Sequence, residues 1–359
     1  MNGSWPMHQY NHVANAQEFT RILVIRLSSL GDILLTTPVL RVLREHCPAA
    51  HIDFLIKAAY QDVLRANPCV DRLLLWEPQQ GLKETLRRLR QTRYDIVVDL
   101  QRTLRSCLLY HGLLARRKLA YTKRTIRRAL LVHLGWNTLR AMTPVPELYM
   151  APLRCLGITA PLPPLEMHLT AESQEAMQAC LQQAFPEGLA RPLLAVAPGA
   201  RWSTKRWPVE RFAAVAQALA QAQQAAVVVL GSAEDSLLAQ ELGQRLRVPV
   251  LNSTGKLSLM HTAALLQQCH LLLSNDSGLM HMATALRVPV VAIFGPTVQE
   301  FGFYPFKASA QVVSTTLACR PCSTKGTTRC PRGHHQCMQQ VTVAHVLAAA
   351  SKLWGGERG

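Results

Sequence analysis

The sequence predicts an α/β protein built from two doubly wound, parallel-sheet domains, and three observations carry that expectation. The chain has 359 residues, more than one core of roughly 100–200 residues usually holds. Its hydrophobic content of 49% against 17% charged residues suits a chain that buries a sizeable core. From residue 21 onward, short β-branched runs alternate with amphipathic stretches, the pattern of strands covered by crossover helices.

In order along the chain, residues 1–20 read as a loose extension and residues 21–160 as the first domain. Its strands are expected at 21–27, 51–56, 72–76 and 95–100, with helices at 33–46 and 82–91. The stretch 157–169 is Pro-rich (Pro161, Pro163, Pro164) and lacks periodicity, which places a linker at 161–170. The second domain, 171–340, has expected strands at 193–197, 226–230, 271–274 and 288–294, and helices at 209–223, 235–246, 259–269 and 278–286. A last helix at 341–353 and a tail complete the chain to residue 359.

The longest apolar runs, 225–230 and 288–294, fall far short of the ~20 residues that span a bilayer. No apolar stretch follows a basic start, so the first twenty residues do not resemble a secretory signal, and a cytoplasmic location is expected. Six of the ten cysteines stand singly in segments that read as buried helix or strand, which suits reduced thiols. The net charge is +17. Between Lys83 and Arg140 there are fifteen Lys and Arg against Glu84, Asp95 and Asp99. Such a surface attracts phosphates or anionic lipid headgroups, with nucleic acid and plain solvation as competing readings.

Ligands of open α/β sheets bind beyond the carboxyl ends of the strands, so the strand-end turns hold the candidate chemistry. The first turn is Arg26-Leu27-Ser28-Ser29-Leu30-Gly31-Asp32-Ile33, where Gly31 reads as the residue of a tight turn. Asp32 lands at a helix N-terminus, either as an N-cap or as a general base facing a cleft. In the second, residues 197–208, Ser203, Thr204, Lys205 and Arg206 offer hydroxyls, cations and main-chain donors to a phosphate, without the spacing of a P-loop. In the third, residues 274–281, Asp276, Ser277 and Gly278 lead into a helix that carries His281 one turn in. Gly295-Pro296-Thr297 ends the next strand, and Gly231-Ser232-Ala233-Glu234-Asp235 places acids where a ribose is often held. Four such loops in one domain point to a nucleotide diphosphate.

Together these segments resemble the ADP-heptose:lipopolysaccharide heptosyltransferases, glycosyltransferase family 9, over residues 21 to 350. The most specific markers are the Ser-Ser-Leu-Gly-Asp turn, Pro198-Gly199 followed by Lys205-Arg206-Trp207-Pro208, Asn275 through His281, and Phe294-Gly295-Pro296-Thr297. The resemblance implies the GT-B fold, two Rossmann-like domains facing a central cleft. It implies an inverting transfer of heptose from ADP-heptose to an inner-core lipopolysaccharide acceptor. Asp32 would be the base and Lys205 would neutralise the departing diphosphate. Asp276, Ser277, Gly278, His281 and Thr297 would position the nucleotide sugar, Asp235 would lie near the ribose, and Ser29, Gly31, Ser203, Thr204 and Arg206 would be further substrate contacts. No divalent cation is expected in catalysis. The basic first half then suits an anionic acceptor at the cytoplasmic face of the inner membrane, with peripheral membrane contact and no nucleic-acid partner.

The motif Cys319-x2-Cys322-x7-Cys330-x6-Cys337, with His334 and His335 inside it, has three readings: structural zinc, reduced thiols or disulfides. Three other functions compete with the favoured one. The nearest is a transferase of another nucleotide sugar. A basic nucleic-acid-binding protein with a zinc module would leave the four nucleotide-style loops without a purpose. A sugar-nucleotide epimerase or phosphorylase would share the architecture but needs other site residues.

Overall fold

The computed structural model describes residues 19–139, 142–186 and 191–355, so the expected extension lies almost wholly outside the described residues. The first half runs β1 (Arg21–Ile25), α1 (Leu30–Leu34), α2 (Thr37–His46), β2 (His51–Lys57), β3 (Arg72–Trp76), α3 (Gly81–Leu89), β4 (Tyr94–Asp99), α4 (Leu104–Gly112), β5 (Ala115–Ala120), α5 (Thr125–Leu134) and α6 (Val145–Met150). The second runs α7 (Ala171–Ala184), β6 (Leu193–Ala197), α8 (Val209–Ala222), β7 (Ala226–Val229), α9 (Ser236–Arg245), β8 (Val250–Asn252), α10 (Leu259–Gln267), β9 (Leu271–Asn275), α11 (Gly278–Ala285), β10 (Val290–Phe294), β11 (Ala310–Ser314), α12 (Gln336–Gln339) and α13 (Val343–Trp354).

Two wholly parallel sheets result, ordered β3-β2-β1-β4-β5 and β11-β10-β9-β6-β7-β8. Their inner strands are buried along nearly their whole length because helices cover both faces, which is why β6 and β10 read as unbroken apolar runs and β1, β4 and β9 carry apolar stretches of three or four residues. In each sheet the strand order reverses once, between β1 and β4 and between β6 and β9, and the crevice at such a reversal is where open sheets take ligands.

Several elements differ from expectation for identifiable reasons. The expected helix at 33–46 is two helices, because Pro38 has no N–H to continue the first and Thr36 turns its hydroxyl onto the Ile33 carbonyl. Strand β5 escapes an apolar search because Arg116, Arg117 and Lys118 sit in it, and cations are common on an edge strand. Residues 158–170 hold no helix or strand, yet Ile158, Leu162, Leu165 and Met167 are buried. Glu166 pairs with Arg41 of α2 at 2.6 Å, so this segment is pinned rather than loose. Of the six single cysteines, Cys47, Cys69 and Cys269 are buried, while Cys155 is exposed in a 3-10 turn against expectation.

The two halves meet where α1 packs on α11. A Cβ on Gly31 would lie 2.5 Å from Cδ2 of His281, and one on Gly278 would lie 2.8 Å from Cδ2 of Leu30. Each glycine thus leaves the space that the other helix's side chain fills. Gly31 does not have a positive φ, which corrects the tight-turn expectation: its missing side chain serves the interdomain approach. Around this contact one buried cluster runs from Ile22, Val24 and Phe54 through Ile33 and Leu34 to Met280, Leu272 and Phe294. Overpacking of this kind costs about 1–3 kcal/mol. Chemical denaturation of Gly31→Ala should show a loss in that range, and unchanged stability would mean the helices part freely.

Candidate active site

On the first domain's side, the turn after β1 delivers Asp32 to the β1/β4 reversal. Ser29 caps α1 in an extended conformation and Asp32 is the third helical residue, so the N-cap reading of Asp32 is corrected to the partner position of a capping box. One carboxylate oxygen accepts from the Ser29 hydroxyl at 2.7 Å and from its backbone N–H at 3.2 Å. The other accepts from the Arg26 guanidinium at 2.7 Å. Arg26 is buried, reaches the Leu100 carbonyl beyond β4, and lies over the Tyr149 ring at 5.4 Å. Burial alone would push the Asp32 pKa up, but Arg26 and the Ser29 hydrogen bonds prevail and hold it below the ordinary carboxylate value.

On the other side, the turns after β6 and β9 come together at the second reversal. Asn275 ties them, donating to the Pro198 carbonyl at 2.8 Å and accepting from the Trp207 N–H at 3.0 Å. Lys205, leaving a single 3-10 turn at Ser203–Lys205, places Nζ 2.6 Å from the buried Asp276 carboxylate. The same oxygen accepts from the Thr297 hydroxyl at 2.7 Å. Ser277 caps α11 and its hydroxyl lies 3.1 Å from that of Ser274.

His281 stands between the two sides. Burial pushes its pKa down to about 4, and Lys205 works the same way, while Asp276 and Asp32 oppose. The imidazole is therefore neutral at pH 7, and its Nδ1 is a buried polar atom with no hydrogen-bond partner. The structure thus brings Ser29, Gly31, Asp32, Lys205, Asp276, Ser277, Gly278, His281 and Thr297 to one interdomain crevice, although Gly31 and Gly278 are there as packing surfaces.

Other expected residues are engaged elsewhere. The Asp235 carboxylate accepts from the Ser232 hydroxyl and N–H at 2.8 and 3.0 Å and fills the space where a Gly199 Cβ would stand. It is a capping-box acid packed against the β6 turn, with Arg206 3.7 Å away. Arg206 also donates to the Ala200 carbonyl at 2.8 Å. The Thr204 hydroxyl exchanges hydrogen bonds with the Thr327 main chain, both at 2.9 Å, and His335 reaches the Thr204 carbonyl at 2.9 Å. The Cys-rich segment therefore latches onto this turn, and Ser203 lines a cavity of about 380 Å³ beside Cys330 and His335. Burial, Cys322 and the other thiols of the cluster raise the Cys337 pKa to about 11. Cys319, Cys322, Cys330 and Cys337 are unbridged, and among the described residues no three His, Cys, Asp or Glu groups come together in metal-holding geometry.

Sequence reasoning missed the wall beside Asp32. Tyr121 and Tyr149 stack edge to face with centroids 4.9 Å apart, and burial raises the pKa of both phenols. Arg128 of α5, whose pKa burial lowers, donates to the Phe301 carbonyl across the crevice at 3.0 Å. These residues lie some ninety or more positions after Asp32, in segments whose local pattern carries no site signal.

The glycosyltransferase family 9 (heptosyltransferase) model matches residues 83–331. The chain is 29% identical over 351 residues to lipopolysaccharide heptosyltransferase 2 of Escherichia coli (strain K12), covering 93% of this chain and 98% of that protein. Among solved structures, a glycosyl transferase family 9 protein from Veillonella parvula matches with a TM-score of 0.78 at 25% identity, covering 96% and 99% of the two chains. The E. coli ADP-heptose lps heptosyltransferase II matches with a TM-score of 0.74 at 25% identity, covering 93% and 98%. The architecture is accordingly the GT-B fold.

The buried, neutral His281 has a consequence for stability. The unfolded chain takes up its proton near 6.5 and the folded protein only near 4, so the contribution is complete above pH 6.5 and is lost as pH falls to 4. That difference corresponds to about 3 kcal/mol. Denaturation curves of His281→Gln should lack this share of the acid slope, and an identical slope in both proteins would refute the neutral, buried assignment.

Proposed function

We propose, from the premise that the chain belongs to glycosyltransferase family 9, the heptosyltransferases, that it transfers a heptose from ADP-heptose to an inner-core lipopolysaccharide acceptor with inversion. The observation that carries this reading is the confrontation of the Arg26-clamped Asp32 with the Lys205–Asp276 pair across His281. Asp32 takes the proton of the acceptor hydroxyl as its oxygen bonds to the anomeric carbon. The bond from that carbon to the diphosphate breaks, its electron pair leaves on the β-phosphate oxygen, and Lys205 moves from Asp276 to meet the charge. Thr297 keeps the Asp276 carboxylate hydrogen-bonded when Lys205 leaves it. The Nδ1 of His281 offers a partner to the bound nucleotide sugar.

The depressed pKa keeps Asp32 ionised into the acid range, so the base is ready although its proton affinity is modest. The mechanism assigns no step to a metal, because Lys205 and the α11 terminus supply the charge stabilisation. Zinc at the Cys319, Cys322, Cys330 and Cys337 cluster remains a structural proposal, read by metal analysis with thiol titration. The acceptor is anionic and membrane-borne, and the protein works at the cytoplasmic face of the inner membrane through peripheral contact.

Turnover with a panel of nucleotide sugars and a Kdo-bearing acceptor tests the reading. Asp32→Asn should lower kcat by about 10²–10⁴-fold, and Lys205→Met should also fall mainly in kcat; parental rates would remove the assigned roles. In Arg26→Gln, burial without the guanidinium raises the Asp32 pKa, so the acid limb of kcat/KM should move to higher pH. An unmoved limb would show that Asp32 does not govern it.

A further inference from the structure

Among the described residues, the large hydrophobic side chains most exposed to solvent are Leu104, Leu108, Leu114, Ile126, Leu134, Trp136, Met142 and Leu237. All but Leu237 fall within residues 104–142. The same stretch carries no acid at all: between Asp99 and Glu147 the chain has ten Lys and Arg and neither Asp nor Glu. Arg102 and Arg116 pair with Asp99 and Asp95 at 3.8 and 3.9 Å, which leaves a large excess of cations; exposed apolar side chains and such an excess rarely coincide on a surface that faces only water.

The coincidence is sharpest on α5. Ile126, Leu130, His133 and Leu134 recur at the spacing of one helical face, with Ile126 at 76% and Leu134 at 56% exposure. Trp136, 64% exposed, follows directly on the Gly135 cap, and Lys123 and Arg127 are exposed as well. The opposite face is committed to the fold, since Leu131 packs with Leu139 and Phe301 and Arg128 bonds the Phe301 carbonyl. Lys123, two residues before α5, lies in the field of Asp32 and Arg26, so the patch borders the crevice on the side of the assigned base.

We propose that α5 and the turn through Trp136 form a membrane-docking face that seats on an anionic phospholipid surface, with Ile126, Leu134 and Trp136 entering the interface and Lys123 and Arg127 meeting headgroup phosphates. An interfacial helix has this division of apolar and basic residues, and Trp favours the headgroup level. A second copy of the chain is a poorer occupant, because a face-to-face pair would bring the cations of both copies together. Nucleic acid would answer the charge and leave the apolar residues unexplained. The inference rests on the proposed function in one respect: a lipid-borne acceptor gives the docked face a purpose, bringing the sugar to the crevice that Asp32 borders.

The test is co-sedimentation of the full chain with vesicles of phosphatidylcholine alone or with a quarter phosphatidylglycerol. The parent should bind the anionic vesicles, more weakly at high salt, and should ignore the neutral ones. Ile126→Ser/Leu134→Ser/Trp136→Ser should reduce binding at least tenfold, and Arg127→Gln by about fivefold. Leu237→Ser, on the second domain, should change nothing, and the thermal midpoint reports that each variant is folded. Turnover of a delipidated acceptor should be equal in parent and triple variant, whereas turnover of the same acceptor in anionic vesicles should fall at least tenfold in the variant. Binding that ignores phosphatidylglycerol, or that survives the triple substitution, overturns the docking face; so does a parent dimer that the triple variant abolishes. Absence of turnover on either acceptor would instead fault the transferase reading, since vesicle binding is measured independently of it.

Discussion

The close approach of α1 to α11 is the contact on which the rest of the site depends. A helix of five residues has little stability of its own, so α1 holds its place by burying Ile33 and Leu34 and by lying against a second helix. The reciprocal arrangement, Leu30 over Gly278 and His281 over Gly31, works only because both positions lack a Cβ. It also fixes where the proposed site lies. Asp32 stands on the first helix and His281 on the second, so the distance between the sheet ends is set by two absent methyl groups.

Charge is distributed so that each half is complete in itself. Arg26 answers Asp32 within the first domain, and Lys205 answers Asp276 within the second. The group shared between them, His281, is uncharged at pH 7. Separating the halves therefore breaks apolar contact and hydrogen bonds such as that from Arg128 to the Phe301 carbonyl, while both ion pairs stay whole; stranding a buried ion would cost far more. A crevice proposed to admit a diphosphate and an acceptor benefits from that division, because opening it breaks neither ion pair.

Much of this arrangement was legible in the sequence, and the exceptions have physical causes. The central strands showed themselves because both faces are covered, whereas β5 hid behind its edge cations and β8 and β11 behind their half-exposed positions. Asp32, Lys205 and Asp276 are legible because they follow strands at the two reversals of strand order, and Thr297 because it follows β10. Gly31 is legible as a position without a Cβ, but a sequence does not show that the His281 ring occupies the space. Asp235, expected near a ribose, is held as the acid of a capping box, a spacing legible in Ser232-Ala233-Glu234-Asp235. Tyr121, Tyr149 and Arg128 reach the crevice through tertiary packing alone and left no local trace.

The two Ser-x-x-Asp turns show why one pattern serves two ends. At both, the serine caps a helix and the aspartate's Oδ2 accepts from the serine's N–H and hydroxyl. What differs is the other oxygen. At Asp235 it faces Arg206 at 3.7 Å, in a site packed shut beneath Gly199. At Asp32 it meets the buried Arg26 at 2.7 Å, at the edge of a crevice shared with another domain, and the carboxylate keeps part of its surface open. A carboxylate held by fixed donors, ionised and still reachable is oriented without being used up. The capping box therefore supplies rigidity of the kind the proposed proton acceptor needs, and placement at a strand-order reversal is what sets Asp32 apart from Asp235.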